Sequence, residues 1–258
     1  MTIPIIGIDA EWQSDPDGNG VSVLSYQWFG LDVDHREWSG IHYPDLKLTE
    51  RQKRLTFSQW VSFALRQHYR QRTWPTRIVL ASHFTTAELS VVRDFGEIKT
   101  RVDLVQGTSF VSARQPFTRT CYDKSRNAHR VTIHLIDSML LAPPDGKSLA
   151  ALGNLLGYPK QDLPKGYSKD QMLLFLEERP DLFKEYAIRD AEITARYIRR
   201  IEQQCGELGL DNYRPVTIGG LAQRTFLQRL ELEGRTYDDI MGVRQDGVRQ
   251  GRYTNRER

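Results

Sequence analysis

Ile5-Ile6-Gly7-Ile8-Asp9-Ala10-Glu11-Trp12 is an apolar run that ends in two carboxylates one residue apart. The run is short, rich in branched residues and followed by the turn residues Ser14-Asp15-Pro16-Asp17-Gly18-Asn19-Gly20, which marks it as a buried strand. Side chains two apart in a strand share a side, so Asp9 and Glu11 project together from the end of a core strand. Two like charges there repel, and burial adds to the cost. A hard divalent cation such as magnesium or manganese would relieve both, since carboxylate oxygens suit it. The alternative is a strand that turns polar as it leaves the core.

The elements around this strand extend the reading. Val21 to Phe29 and Arg36 to Tyr43 come next as two more strands, joined by loops short enough for an antiparallel meander. Thr49 to Tyr69 carries a helical stripe (Leu55, Phe57, Trp60, Val61, Ala64, Leu65), with Thr49 and Gln52 spaced as a capping box. Arg77 to Ala81 is a short buried strand, and Ser82 to Phe95 turns into a helix. Between Ile98 and Ile136 two or three strands are expected, the clearest being Val131 to Ile136, which also ends in a carboxylate, Asp137. Helices are expected at Ser148 to Leu156, closed by Gly157, at Ser168 to Glu177, at Pro180 to about Gln204, and at Ile218 to Leu232. Strands first and helices interspersed later predict a mixed sheet flanked by helices, an α/β or α+β domain.

The 258 residues suffice for one large domain or two small ones. Apolar residues at 39% and charged residues at 27% are ordinary for a globular protein. No stretch is long and apolar enough to span a bilayer, and no signal-peptide pattern opens the chain. Cys121 and Cys205 are the only cysteines, which excludes a disulfide framework and a cysteine-based zinc site and fits a reducing cytoplasm. A formal net charge of +3 is a small basic excess and says little about nucleic acid. The end of the chain, with Arg235, Arg244, Arg249, Arg252, Arg256 and Arg258, reads as a linker to a further domain or as a frayed tail.

Two further stretches carry chemistry. In the helix from Pro180, Asp190 falls within the apolar stripe, four residues after Tyr186, so both lie on one face. A core-facing Asp is costly unless it is paired or bound to a metal. His83-Phe84-Thr85-Thr86-Ala87-Glu88 joins a buried strand to a helix. Glu88 is either another acidic ligand or a cap, because Thr85 and Glu88 have capping-box spacing. His83 and Phe84 either contact substrate or fill the corner. Trp12 either stacks on a base or packs in the core.

Asp9-x-Glu11, the acidic residue after the His83-Phe84 corner, and Tyr186-x-x-x-Asp190 resemble, in that order, the three motifs of the DEDD exonucleases. The Tyr four before the last Asp resembles the DEDDy branch, which includes the proofreading exonuclease domains of family-B DNA polymerases. Leu135-Ile136-Asp137-Ser138-Met139-Leu140-Leu141-Ala142-Pro143, then Ser148-Leu149-Ala150-Ala151-Leu152-Gly153, resembles the linking region of the organellar, viral and plasmid type. The departure is Glu88, where that family usually carries Asp, and no polymerase palm motif comes after it.

The resemblance implies a ribonuclease H-like mixed sheet over residues 1–210, the DEDD exonuclease fold. The C-terminal helix and basic tail over 211–258 would stand outside it, as a linker to a further domain or a frayed tail. It implies 3′-5′ exonuclease activity that releases nucleoside 5′-monophosphates from single-stranded or frayed DNA 3′ ends, with two Mg²⁺ or Mn²⁺ ions. Asp9, Glu11 and Asp190 would hold one ion. Asp9 and Glu88 would serve the second, Tyr186 would orient the attacking water, and Trp12, His83 and Phe84 would meet the substrate. Asp137 would be structural, a cap on the turn of chain after it. The alternatives are an RNA 3′-5′ exonuclease, or a nucleic-acid-binding module whose site has decayed.

Overall fold

The computed structural model describes residues 3–14, 20–101, 104–106, 111–211, 213–241, 244–245 and 248–249. Strands β1 (Ile5–Ser14), β2 (Val21–Leu31) and β3 (Glu37–His42) form the expected antiparallel meander. Most of the turn-rich stretch after β1 lies outside the described residues, as do Arg252, Arg256 and Arg258 of the tail.

The predicted helix from Thr49 to Tyr69 is instead two, α1 (Glu50–Lys53) and α2 (Phe57–Arg66). Thr49 and Gln52 form the expected capping box on α1, and Thr56 and Gln59 form a second on α2. Arg54 is extended between them. That break lets Leu55 enter the core, its N–H donating to the Tyr26 hydroxyl and its carbonyl accepting from Arg93. β4 (Arg77–Ser82) is next. The predicted helix from Ser82 to Phe95 shrinks to α3 (Thr85–Ser90), because Val91 and Val92 drop into the core directly after it. α4 (Phe95–Arg101) takes up Ile98, where a strand was expected. Among the described residues four strands rather than two or three complete this region: β5 (Leu104–Gln106) paired with β6 (Val111–Ala113), then β7 (Phe117–Tyr122) and β8 (Ala128–Asp137). α5 (Leu149–Leu156) is capped by Ser148 and closed by Gly157 in the left-handed conformation. A 3₁₀ turn over Lys169–Gln171 leads into α6 (Met172–Glu178). α7 (Pro180–Glu207) and α8 (Ile218–Leu232) match the predicted spans closely.

The sheet order is β3-β2-β1-β4-β8-β7. β4 runs parallel to β1, β8 parallel to β4, and β7 closes the far edge antiparallel. This is the ribonuclease H-like mixed sheet with helices on both faces. The faces arise from strand alternation. Ile6, Ile8, Ile78, Leu80, Ile133 and Leu135 pack with the α2 stripe on one side. Ile5, Val79, Ala81 and Ile136 pack with α5 and α7 on the other. α8 contributes Leu221 to this second core. Asp9 and Glu11 continue the row of Ile5 and Gly7, so they face α7.

Gly7 sets how close α7 comes. A Cβ at Gly7 would collide with the Ala191 carbonyl and lie 2.9 Å from the Ala195 amide nitrogen. With glycine on the strand and alanines at 187, 191 and 195 on the helix, the two backbones touch. That contact carries Asp190 to the end of β1.

Candidate active site

The C-terminal end of β1 and the corner after β4 open into a cavity of about 420 Å³. Asp9, Glu11 and Trp12 come to it from β1, His83, Phe84 and Glu88 from the β4–α3 corner, and Tyr186 and Asp190 from α7. All eight residues singled out in the sequence therefore line one cleft. A register shift after Glu11, where Trp12 pairs with Val23 rather than Leu24, re-aims the end of β1. Trp12 and Phe84 keep 36% and 38% of their surfaces exposed, so both rings border the cleft instead of filling the core.

Glu88 is not a capping-box partner. Phe84, not a threonine, is the N-cap of α3, and its side chain makes no cap hydrogen bond. Glu88 is buried and its Oε2 accepts the Ala10 N–H at 2.7 Å, which fastens α3 to β1 beside Asp9. Asp9 Oδ2 accepts from Gln27 Nε2 at 2.6 Å, and Gln27 Oε1 accepts from the Ser25 hydroxyl at 3.0 Å. Asp190 Oδ2 is paired with Lys160, whose ammonium also lies 5.3 Å from the Tyr186 ring centre. Asp190 Oδ1 is buried and has no hydrogen-bond partner among the described residues.

Burial, reinforced by Asp190 and opposed by Lys160 and Gln27, pushes Asp9 up to about 8. Burial and then Asp9 and Asp190 hold Glu11 well above the carboxylate range. Glu88 is held up likewise by burial, Asp9 and Glu11. Asp190 is raised by burial against the pull of Lys160. Tyr186 is raised by burial and then by Glu11, Asp190 and Asp9, so its hydroxyl stays protonated at neutral pH. Burial, with Lys160 second, lowers His83 to about 4, so that ring is neutral.

As the side chains stand, no group of three or more His, Cys, Asp or Glu among the described residues is closed around one point as metal ligands. The donor set nevertheless fits a hard divalent cation. Four carboxylates share the cleft, Glu88 and Asp190 buried and Asp9 and Glu11 half-buried; desolvation suppresses the ionisation of all four, mutual repulsion adds to it at Asp9, Glu11 and Glu88, and one Asp190 oxygen lacks a partner among the described residues.

Lys160 and Gln27 were missed in the sequence. Lys160 sits in the loop after α5, where no periodicity links it to an acidic partner thirty residues on. Gln27 did leave a signal, as an amide set between Tyr26 and Trp28 in a largely apolar strand, and the fold buries it fully.

No family model matches the chain. By sequence it is 29% identical over 257 residues to a primer-independent DNA polymerase, PolB, of Escherichia coli. That match takes in 92% of this chain and 29% of that protein, so the chain spans under a third of its relative. Among solved structures it is similar to Phi29 DNA polymerase complexed with primer-template DNA, at 12% identity and TM-score 0.47, over 95% of this chain and 38% of that one. A second similar structure, of Phi29 DNA polymerase complexed with single-stranded DNA, gives 11% identity and TM-score 0.46 over 90% and 36% of the chains. A full-length 3′-exonuclease gives 12% identity and TM-score 0.36 over 81% and 62%. In sequence and in the order of its acidic motifs, this chain resembles the exonuclease domains of family-B DNA polymerases.

Proposed function

We propose that the chain is a divalent-metal-dependent 3′-5′ exonuclease that releases nucleoside 5′-monophosphates from DNA 3′ ends. The observation that carries the reading is the convergence of Asp9, Glu11, Glu88 and Asp190, from three distant segments, on one cleft whose buried Asp190 Oδ1 has no partner among the described residues. Asp9, Glu11 and Asp190 would hold one cation, and Asp9 with Glu88 a second. The chemistry two such cations supply when bound is charge stabilisation on the attacking and leaving oxygens and a lowered pKa for a water. Tyr186, protonated at neutral pH, is too weak an acid to serve as a base, so its hydroxyl orients the attacking water by hydrogen bonding. Trp12 and Phe84 each keep over a third of their surface exposed beside the cleft, where unpaired bases at a frayed 3′ end can stack. His83, neutral, can donate or accept but adds no charge near the phosphate. Gln27 fixes the orientation of Asp9, and Glu88 is fixed by the Ala10 amide. Residues 1–210 would form the exonuclease unit, with 211–258 as its C-terminal helix and tail.

The test is a ladder assay. Single-stranded and duplex DNA and RNA, labelled at the 5′ end, are incubated with magnesium or manganese. Stepwise shortening of DNA from the 3′ end is expected, with single-stranded ends preferred and little activity once Asp9→Ala is introduced. Undiminished cleavage in excess EDTA, or on DNA with a blocked 3′ end, would overturn the reading. Faster shortening of RNA would move the substrate class to RNA.

A further inference from the structure

We propose that Asp137 is a positioning residue of the cleft. It acts through the backbone of Phe84 to hold that ring where the end of a single strand would stack. The proposal rests on the nuclease reading above.

Phe84 has φ 67° and ψ 57°, a left-handed conformation that an L side chain resists. The other described non-glycine residues with positive φ, His35 and Arg126, lie in turns between hairpin strands. Phe84 instead joins β4 to α3 at the cleft, which calls for its own restraint. Asp137 supplies it. The register pairs Asp137 with Ser82, so its carboxylate lies across the sheet from the end of β4. Oδ1 accepts the Phe84 N–H at 3.2 Å and the Met139 N–H at 3.0 Å, while Oδ2 accepts the Thr85 N–H at 2.8 Å. Asp137 itself is fully buried. The next residue joins the grip, its Ser138 hydroxyl lying 2.9 Å from His83 Nδ1. A cap on the 3₁₀ turn would need only the Met139 contact. The two amides of the β4–α3 corner are the additional feature.

The corner is consequently built from opposite requirements. The Phe84 backbone is bound to a buried carboxylate while its ring stays 38% exposed beside the cleft. Three N–H donors converge on two oxygens. An amide at 137 would offer one oxygen and turn an NH₂ toward a donor, so the corner would lose at least one contact.

The experiment uses the full chain and three variants: Asp137→Asn, Phe84→Ala, and the two combined. On end-labelled single-stranded DNA, Asp137→Asn is expected to raise KM about 5- to 100-fold, the range that losing one base stack carries, with a much smaller change in kcat. Phe84→Ala should raise KM comparably. The combined variant should stay within about twofold of Phe84→Ala, since the two act through one contact. A fall in kcat at unchanged KM, or effects that multiply, would overturn the proposal. A readout independent of activity comes from Phe84→Gly, because glycine adopts positive φ unaided. Asp137→Asn should lower the thermal midpoint less in the Phe84→Gly background than in the wild type. An equal drop in both backgrounds refutes the coupling. If Asp137→Asn alone does not fold, the pair with Phe84→Gly is expected to; if that pair also fails, Asp137 is a general fold residue and the proposal falls. A wild-type protein that degrades no nucleic acid refutes the nuclease reading, whereas the midpoint comparison still decides whether Asp137 holds Phe84.

Discussion

The Tyr186 hydroxyl and the Glu88 carboxylate differ in what each loses on substitution. Tyr186→Phe deletes one hydroxyl and keeps the ring that packs 6.1 Å from Phe175. The expected loss in rate is about 10- to 1000-fold, a few kcal/mol of barrier, with the thermal midpoint unchanged. An unchanged rate would make Tyr186 a packing residue of the α7 stripe. Glu88→Gln keeps an oxygen for the Ala10 N–H and removes a charge from a crowded acidic cleft. Its carboxyl is held above its ordinary value by burial and by Asp9 and Glu11, so ionising it costs folding energy at pH above the unfolded pKa. Glu88→Gln is therefore expected to match or exceed wild-type stability at neutral pH without added metal. Catalysis should fall sharply, and a thermal melt alongside the ladder assay reads both. A Gln variant that degrades DNA at the wild-type rate would leave Asp9, Glu11 and Asp190 as the whole set. The sequence left Glu88 open between cap and ligand because the Thr85 spacing allowed both; Phe84 at the N-cap and the Ala10 amide decide where the side chain points.

The β1–α7 contact and the β2–β3 turn set the larger geometry. Gly7→Ala would drive a methyl group into the α7 backbone, which a rigid helix can relieve only by moving away. A loss of about 1–3 kcal/mol is expected, the range for overpacking a core. Because Asp190 rides on α7, activity should fall further than stability does, as denaturant titration alongside rate measurement would reveal. At the β2–β3 turn, Asp32 is 3% exposed. Burial alone would raise its carboxyl, yet hydrogen bonds from the Arg36 amide, His68 and the Asp34 amide outweigh that and hold it below its usual value. A lowered folded pKa gives stability that is fully present above the unfolded value, near 3.8, and is lost as pH falls through the folded one. Asp32→Asn should therefore be less stable than wild type at neutral pH, with the gap narrowing below about pH 4. A gap that widens on acidification would reverse the sign of this argument.

For the whole molecule, divalent cations that bind the folded cleft and not the unfolded chain must raise its stability by mass action. Magnesium or manganese is expected to raise the thermal midpoint of the wild type, and Asp9→Ala should abolish most of that rise. The same rise in the variant would locate the binding elsewhere. A fragment of residues 1–210 is expected to melt at a lower temperature than the full chain, since α8 contributes Leu221 to the core shared with α7. A fragment that does not unfold cooperatively would move the proposed boundary past α8. Among the described residues no helix is long and apolar enough to cross a membrane.

The sequence by itself determined the elements that rest on local rules. Strand alternation put Asp9 and Glu11 on one side of β1, helical spacing put Tyr186 and Asp190 on one face of α7, and caps at Ser148, Gly157 and Pro180 marked helix ends. These are properties of residues two to four apart, and they survive almost any tertiary setting. Tertiary structure alone decided where α1 stops, because Leu55 leaves the helix for a core site bounded by Tyr26 and Arg93. It also brought Lys160 to Asp190, from a loop thirty residues away in the chain. Gly7 was visible only as a residue in a strand, since its role depends on the α7 backbone pressed against it. Asp137 is a cap for Met139, as its place at a strand end suggests, but its hold on Phe84 and Thr85 exists only because β8 lies beside β4. Pairing partners far apart in sequence are chosen by the packing of the whole sheet, and no local period encodes that choice.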